Sequence, residues 1–242
     1  VEDSKRAVCW VRQTLRGNRI APPTDCQPLD NGHPPVLLIH GYLATRGSLV
    51  LLERRLTDMG HLALSYRLGL LHAADIGESA AFIARKIESL AAQIGLDRLD
   101  IVGHSMGGLV ALHYLKRLGG RRRVRRLVML GTPVGGTWSA LLGALALPLG
   151  RAGVQLLPES QFLRELAESA LPEGVEIVCV SGERDRLAPS KRTYLAGVRH
   201  ICLPTNHAGL LVDEEVAAVV SEILCSPSAA SSEPPSPAAR RR

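Results

Sequence analysis

The 242-residue sequence predicts an α/β fold: an open, mostly parallel sheet with helices on both faces and a short cap or lid insertion. Two observations carry that expectation. Short apolar runs of strand type alternate with segments of helical periodicity, the pattern of repeated strand-crossover-strand units. Several runs, Val36-Leu37-Leu38-Ile39 among them, are apolar without interruption, as in strands buried on both faces. The composition agrees. At 46% apolar and 21% charged residues the chain is globular, and its length suits one sizeable core.

Taken in order, residues 4–17 read as an N-terminal helix and Ala21 to Pro35 as a connector, so residues 1–33 precede a main domain expected over 34–224. The strand Val36–Ile39 ends at His40-Gly41. A helix over 48–59 is closed by Gly60, and Leu62–Tyr66 is the second strand. From Asp75 to Ile94, Ile76, Ala80, Ile83, Ile87, Leu90 and Ile94 recur at three- and four-residue steps, a helix stopped by Gly95. Leu99–Val102 is a strand running into Gly103-His104-Ser105-Met106-Gly107-Gly108 and a helix to Leu118. Arg126–Leu130 is the next strand, ending in Gly131-Thr132-Pro133. An irregular insertion of about 134–172 follows, then strands at 175–180 and 198–203 and a closing helix at 210–224. Residues 225–242, rich in Ser, Pro, Ala and Arg, read as a disordered tail.

Several function classes recede on composition. Eight aromatic residues are too few for base-stacking or sugar-stacking faces. The formal charge of +6 is concentrated in Arg121, Arg122, Arg123, Arg125 and Arg126 and in Arg240–Arg242. That pattern reads as a solvated helix-to-strand turn and a charged tail, and no nucleic-acid partner is expected. The five cysteines form no CxxC or Cys/His pattern, so neither a metal nor another cofactor is expected. Cys179 and Cys202 lie in apolar runs and read as buried thiols. The uncharged stretch Leu127–Gly150 is long enough to span a bilayer, but Gly131, Pro133, Gly135, Gly136 and Pro148 interrupt it. The chain begins at Val1 rather than Met, compatible with an upstream segment having been removed.

In sheets of this kind the ligand site lies beyond the carboxyl ends of the strands, and the unusual residues are found there. Gly103-His104-Ser105-Met106-Gly107 fits G-x-S-x-G between a strand and a helix, the context of a nucleophile elbow. The turn strains the serine backbone and exposes its hydroxyl. Glycines two residues away on either side avoid collision, and the helix N-terminus favours negative charge nearby.

With Ile39-His40-Gly41-Tyr42 and Gly131-Thr132-Pro133, this segment resembles the lipase/esterase branch of the α/β-hydrolase superfamily over roughly residues 34–224. The motifs are specific for the fold and a serine nucleophile, and much less so for substrate. The resemblance implies the chain order Ser, Asp or Glu, His. Of the histidines after the elbow, His113 falls in a helix and His200 in a strand, whereas His207 lies in the loop Pro204-Thr205-Asn206-His207. His207 is the expected base. Asp185, the only aspartate between Ser105 and His207, is the expected acid, with Glu183 the rival. The oxyanion donors implied are the backbone N–H groups of Tyr42 and Met106. His40 and His104 are given no catalytic role.

The expected chemistry is carboxylic-ester hydrolysis through an acyl-enzyme on Ser105, with a small-molecule ester or lipid as substrate. The apolar run Ala140–Leu147 in the insertion suits a cap that binds acyl chains and makes transient contact with a lipid surface; burial of its apolar side against the domain is the alternative. Acyl transfer or thioester hydrolysis by the same residues, and a non-catalytic binding module, are the competing readings.

Overall fold

The computed structural model describes residues 2–17, 33–68, 72–141 and 150–227. Residues 18–32 with most of the connector and Cys26, residues 228–242 of the tail with Arg240–Arg242, and most of the run Ala140–Leu147 lie outside the described residues. Six strands form one sheet: β1 (Val36–Ile39), β2 (Ala63–Ser65), β3 (Leu99–His104), β4 (Val124–Leu130), β5 (Glu176–Gly182) and β6 (Arg199–Leu203). Their order is β2-β1-β3-β4-β5-β6, with every neighbouring pair parallel. The described helices are α1 (Glu2–Arg16), α2 (Val50–Asp58), α3 (Ile76–Ile94), α4 (Met106–Arg117), α5 (Gly150–Gln155), α6 (Gln161–Glu168), α7 (Gly209–Val212) and α8 (Glu214–Cys225).

The two-residue period of the strands feeds two cores. Leu37, Ile39, Ile101, Leu127, Met129 and Ile177 point to the face covered by α3 and α4. Their neighbours Val36, Leu38, Val102, Val128, Val178 and Val180 meet α2, α7 and α8 on the other. Each fully buried aliphatic side chain contributes about 1.5–3 kcal/mol of transfer free energy. That double burial explains the uninterrupted apolar runs. Helix α3 is bounded as its sequence requires: Asp75 accepts hydrogen bonds from the Gly77 and Glu78 amides at 2.7 and 3.1 Å, and Gly95 closes it at φ +65°.

Some expectations are corrected. Arg126 is not solvated, and Arg125 is only partly so. Arg126 is fully buried, bonded to Glu176 at 2.5 Å and to the Leu224 carbonyl at 2.9 Å, and Arg125 pairs with buried Asp100. Arg123 binds Glu88, while Arg121 and Arg122 stay exposed. Cys179 is buried, and desolvation pushes its thiol up to about 12; Cys202, on the edge strand β6, is exposed. Strand β5 runs on to Gly182, two residues past the expected end. The closing helix is broken at Asp213, which is extended (φ −86°, ψ 140°). Its carboxylate does not cap α8; it accepts from Arg6 Nε at 2.8 Å and Thr205 Oγ1 at 2.5 Å. The irregular insertion contains α5 and α6.

Helix α1 docks on the sheet end where the site lies. Thr45 Oγ1 donates to the Thr14 carbonyl at 2.8 Å, and Arg6 reaches Asp213. A side chain on Gly47 would meet the Gln13 carbonyl at 2.2 Å, so that approach requires glycine.

Candidate active site

Ser105 joins the end of β3 to the start of α4 with φ +54° and ψ −125°, a conformation costly for a residue with a Cβ. Packing enforces it. A Cβ on Gly103 would lie 2.6 Å from Gly108, one on Gly107 would lie 2.2 Å from the Ile39 carbonyl, and one on Gly108 would lie 2.0 Å from Thr132 Oγ1. The Ser105 amide donates to the Leu130 carbonyl at 2.8 Å, tying the turn to β4. Met106 opens α4, so its N–H belongs to the first turn, whose amides lack intrahelical partners. A Cβ on Gly41 would lie 2.9 Å from Ser105 Cβ, so the loop after β1 approaches the serine as closely as backbone can.

His207 and Asp185 come from the loops after β6 and β5. His207 Nδ1 lies 2.7 Å from Asp185 Oδ2, and the carboxylate is wholly buried. Asp185 Oδ1 accepts from the Leu187 and Ala188 amides at 2.9 and 2.7 Å, which fixes the acid from below. Glu183, the rival, is exposed. His113 is stacked on Phe162 and His200 on Tyr194, both away from this cluster.

The neighbouring histidines are held neutral. Burial drives His104 well below its ordinary 6.5, and its Nε2–H donates to the His207 carbonyl at 3.1 Å. His40 is lowered to about 4 by burial and donates from Nδ1 to the Gly41 carbonyl at 3.2 Å. Sequence reasoning missed His72. It is fully buried, lowered to about 3, and bonded to the His40 carbonyl and to Ser79. Its backbone pairs with Leu43 and Ala44, bracing the loop that carries Tyr42. No local pattern marks such a residue, because all its partners but Ser79 are about thirty positions away.

Ser105 and His207 line one small pocket with a cavity volume of about 100 Å³. Tyr42, His104, Pro133, Ala140, Leu156 and Leu187 line it too, as does Trp10 from α1, a residue that sequence reasoning missed. Among the described residues no hydrogen bond joins Ser105 Oγ to His207; in ligand-free sites such bonds are often long and tighten with substrate.

The family model described as alpha/beta hydrolase fold matches residues 34–171, more than half of the chain. Among solved structures, a Bacillus licheniformis lipase in its mature form superposes with a TM-score of 0.70 at 16% identity, covering 84% of this chain and 97% of that one. Aspergillus fumigatus lipase B gives 0.71 at 18% identity, over 86% of this chain and 57% of its own. A thermophilic esterase from Thermogutta terrifontis gives 0.56 at 16%, over 79% and 89%. At these identities the likeness is one of fold.

Proposed function

The chain belongs to the α/β-hydrolase fold family, and on that premise we propose that it hydrolyses carboxylic esters, with acyl or lipid esters as its substrate class. One observation carries the reading: a strained, pocket-lining serine shares its pocket with a histidine whose other ring face is gripped by a buried, doubly anchored aspartate. This constellation turns a weak hydroxyl into a nucleophile.

In the proposed reaction His207 Nε2 takes the Ser105 proton as Oγ attacks the acyl carbonyl. Asp185 holds the ring through Nδ1 and stabilises the imidazolium. The tetrahedral oxyanion is received by the N–H groups of Met106 and Tyr42; losing one such donor costs about 2.7–4 kcal/mol in the transition state. His207 returns the proton to the leaving alcohol, and water repeats the sequence on the acyl-enzyme. These steps call for neither metal nor organic cofactor.

The apolar character of the pocket walls supports an acyl group as the bound part, and the insertion contributes Thr137, Ser139, Ala140 and Leu156 to those walls. The test is hydrolysis of p-nitrophenyl esters from acetyl to palmitoyl by the parent and Ser105→Ala. Turnover in the parent alone is expected. Equal rates in both, or none in a folded parent across the series, would refute the assignment.

A further inference from the structure

We propose that α1 is part of the substrate site and that Trp10 is an acyl-contacting residue that sets chain-length preference; this rests on the ester-hydrolase reading and adds to it. Asp3, Ala7 and Trp10 are spaced i, i+4, i+7 and so share one helix face. That face roofs two cavities. Trp10 lines the pocket with Ser105, while Asp3 and Ala7 line a larger groove with Glu183, Arg184 and Asn206, and both surfaces are mostly apolar. His207 and Leu187 belong to both, so the two arms meet beside the proposed base.

The helix is anchored to the loops that carry the site. Arg6 binds Asp213, Arg184 lies 3.3 Å from Asp3, the Asn206 amide donates to the Asp3 carbonyl, and Thr45 donates to the Thr14 carbonyl. Asn206 adjoins His207 and Arg184 adjoins Asp185, so the roof is registered on those two residues. Trp10 itself packs half-buried on the second core. Its indole N–H is buried without a partner among the described residues.

The experiment compares parent, Trp10→Phe and Trp10→Ala on acetyl and octanoyl p-nitrophenyl esters, with kcat and KM resolved. In Trp10→Ala the octanoyl-to-acetyl ratio of kcat/KM falls about tenfold, carried by KM for the long ester; Trp10→Phe recovers most of the ratio. An unchanged or increased ratio, or an equal loss on both esters, overturns the proposal while leaving Ser105-dependent turnover intact. A second arm needs no turnover: decanoate titrated into Trp138→Phe, where Trp10 is the remaining tryptophan, is read by emission. A saturable change supports the acyl wall even in a parent without esterase activity, and a silent titration overturns it.

Discussion

Replacing Asp185 by asparagine keeps the side chain's shape but exchanges one carboxylate oxygen for an NH2 group and removes the negative charge at the centre of the proposed mechanism. Oδ1 accepts from two backbone amides, at 2.9 and 2.7 Å, and Oδ2 faces His207 Nδ1 at 2.7 Å. An asparagine carbonyl keeps the two amide donors satisfied, which turns its NH2 toward Nδ1. The ring must then present Nδ1 as acceptor and carry its proton on Nε2, where it can no longer take one from Ser105. The corresponding change in a serine triad lowers kcat by about 10⁴, or ~5.4 kcal/mol in the barrier. Asp185→Ala is the poorer probe, since it strands two buried amides at about 1–3 kcal/mol each in stability. The assay is kcat on a short p-nitrophenyl ester, with urea midpoints run in parallel and Glu183→Gln as control. The control stays within about twofold, because its carboxylate is exposed. An Asp185→Asn variant within tenfold of the parent, at unchanged stability, would refute the role assigned to the acid.

Gly108→Ala places a methyl 2.0 Å from Thr132 Oγ1 and destabilises the elbow by about 1–3 kcal/mol, read as a lowered urea midpoint; an unchanged midpoint contradicts the packing argument. Arg126→Met leaves Glu176 and the Leu224 carbonyl without their buried donor and costs about 3 kcal/mol, while the joint change with Glu176→Leu recovers part of it. Failure of the second change to recover anything would show that Glu176 is not the stranded group. Stability also falls in acid. His40 and His72 have ordinary values of 6.5 and are lowered to about 4 and about 3 by burial, so the unfolded chain binds protons that the folded chain refuses. Their contribution is whole above pH 6.5 and is lost as the pH drops toward those values. His40 alone accounts for about 3 kcal/mol by about pH 4. Urea midpoints flat over that interval would contradict the burial.

What was legible in the sequence is what is encoded locally. The glycines around Ser105 lie within three positions of it, and each prevents a collision that any Cβ would create. The strands were legible because both faces of the sheet are covered, leaving unbroken apolar runs. Partners far along the chain were not legible. Arg125 and Arg126 look like a charge run until Asp100 and Glu176, 25 and 50 residues away, fold onto them. The break at Asp213 is invisible locally because Arg6 and Thr205 claim the carboxylate that would otherwise cap the helix. Cys202 sits in a run already broken by Arg199 and His200, and on the edge strand it is exposed. Trp10 belongs to the same group: helical periodicity says which residues share a face, not what that face covers.

The most direct test of the central claim is covalent. Treating the folded parent with an alkyl fluorophosphonate, and reading intact mass and peptide map, should give a single adduct on the peptide carrying Ser105. It should disappear in Ser105→Ala and slow sharply in a folded His207→Ala. No adduct on the folded parent, or one that survives Ser105→Ala, would mean that this serine is not the nucleophile.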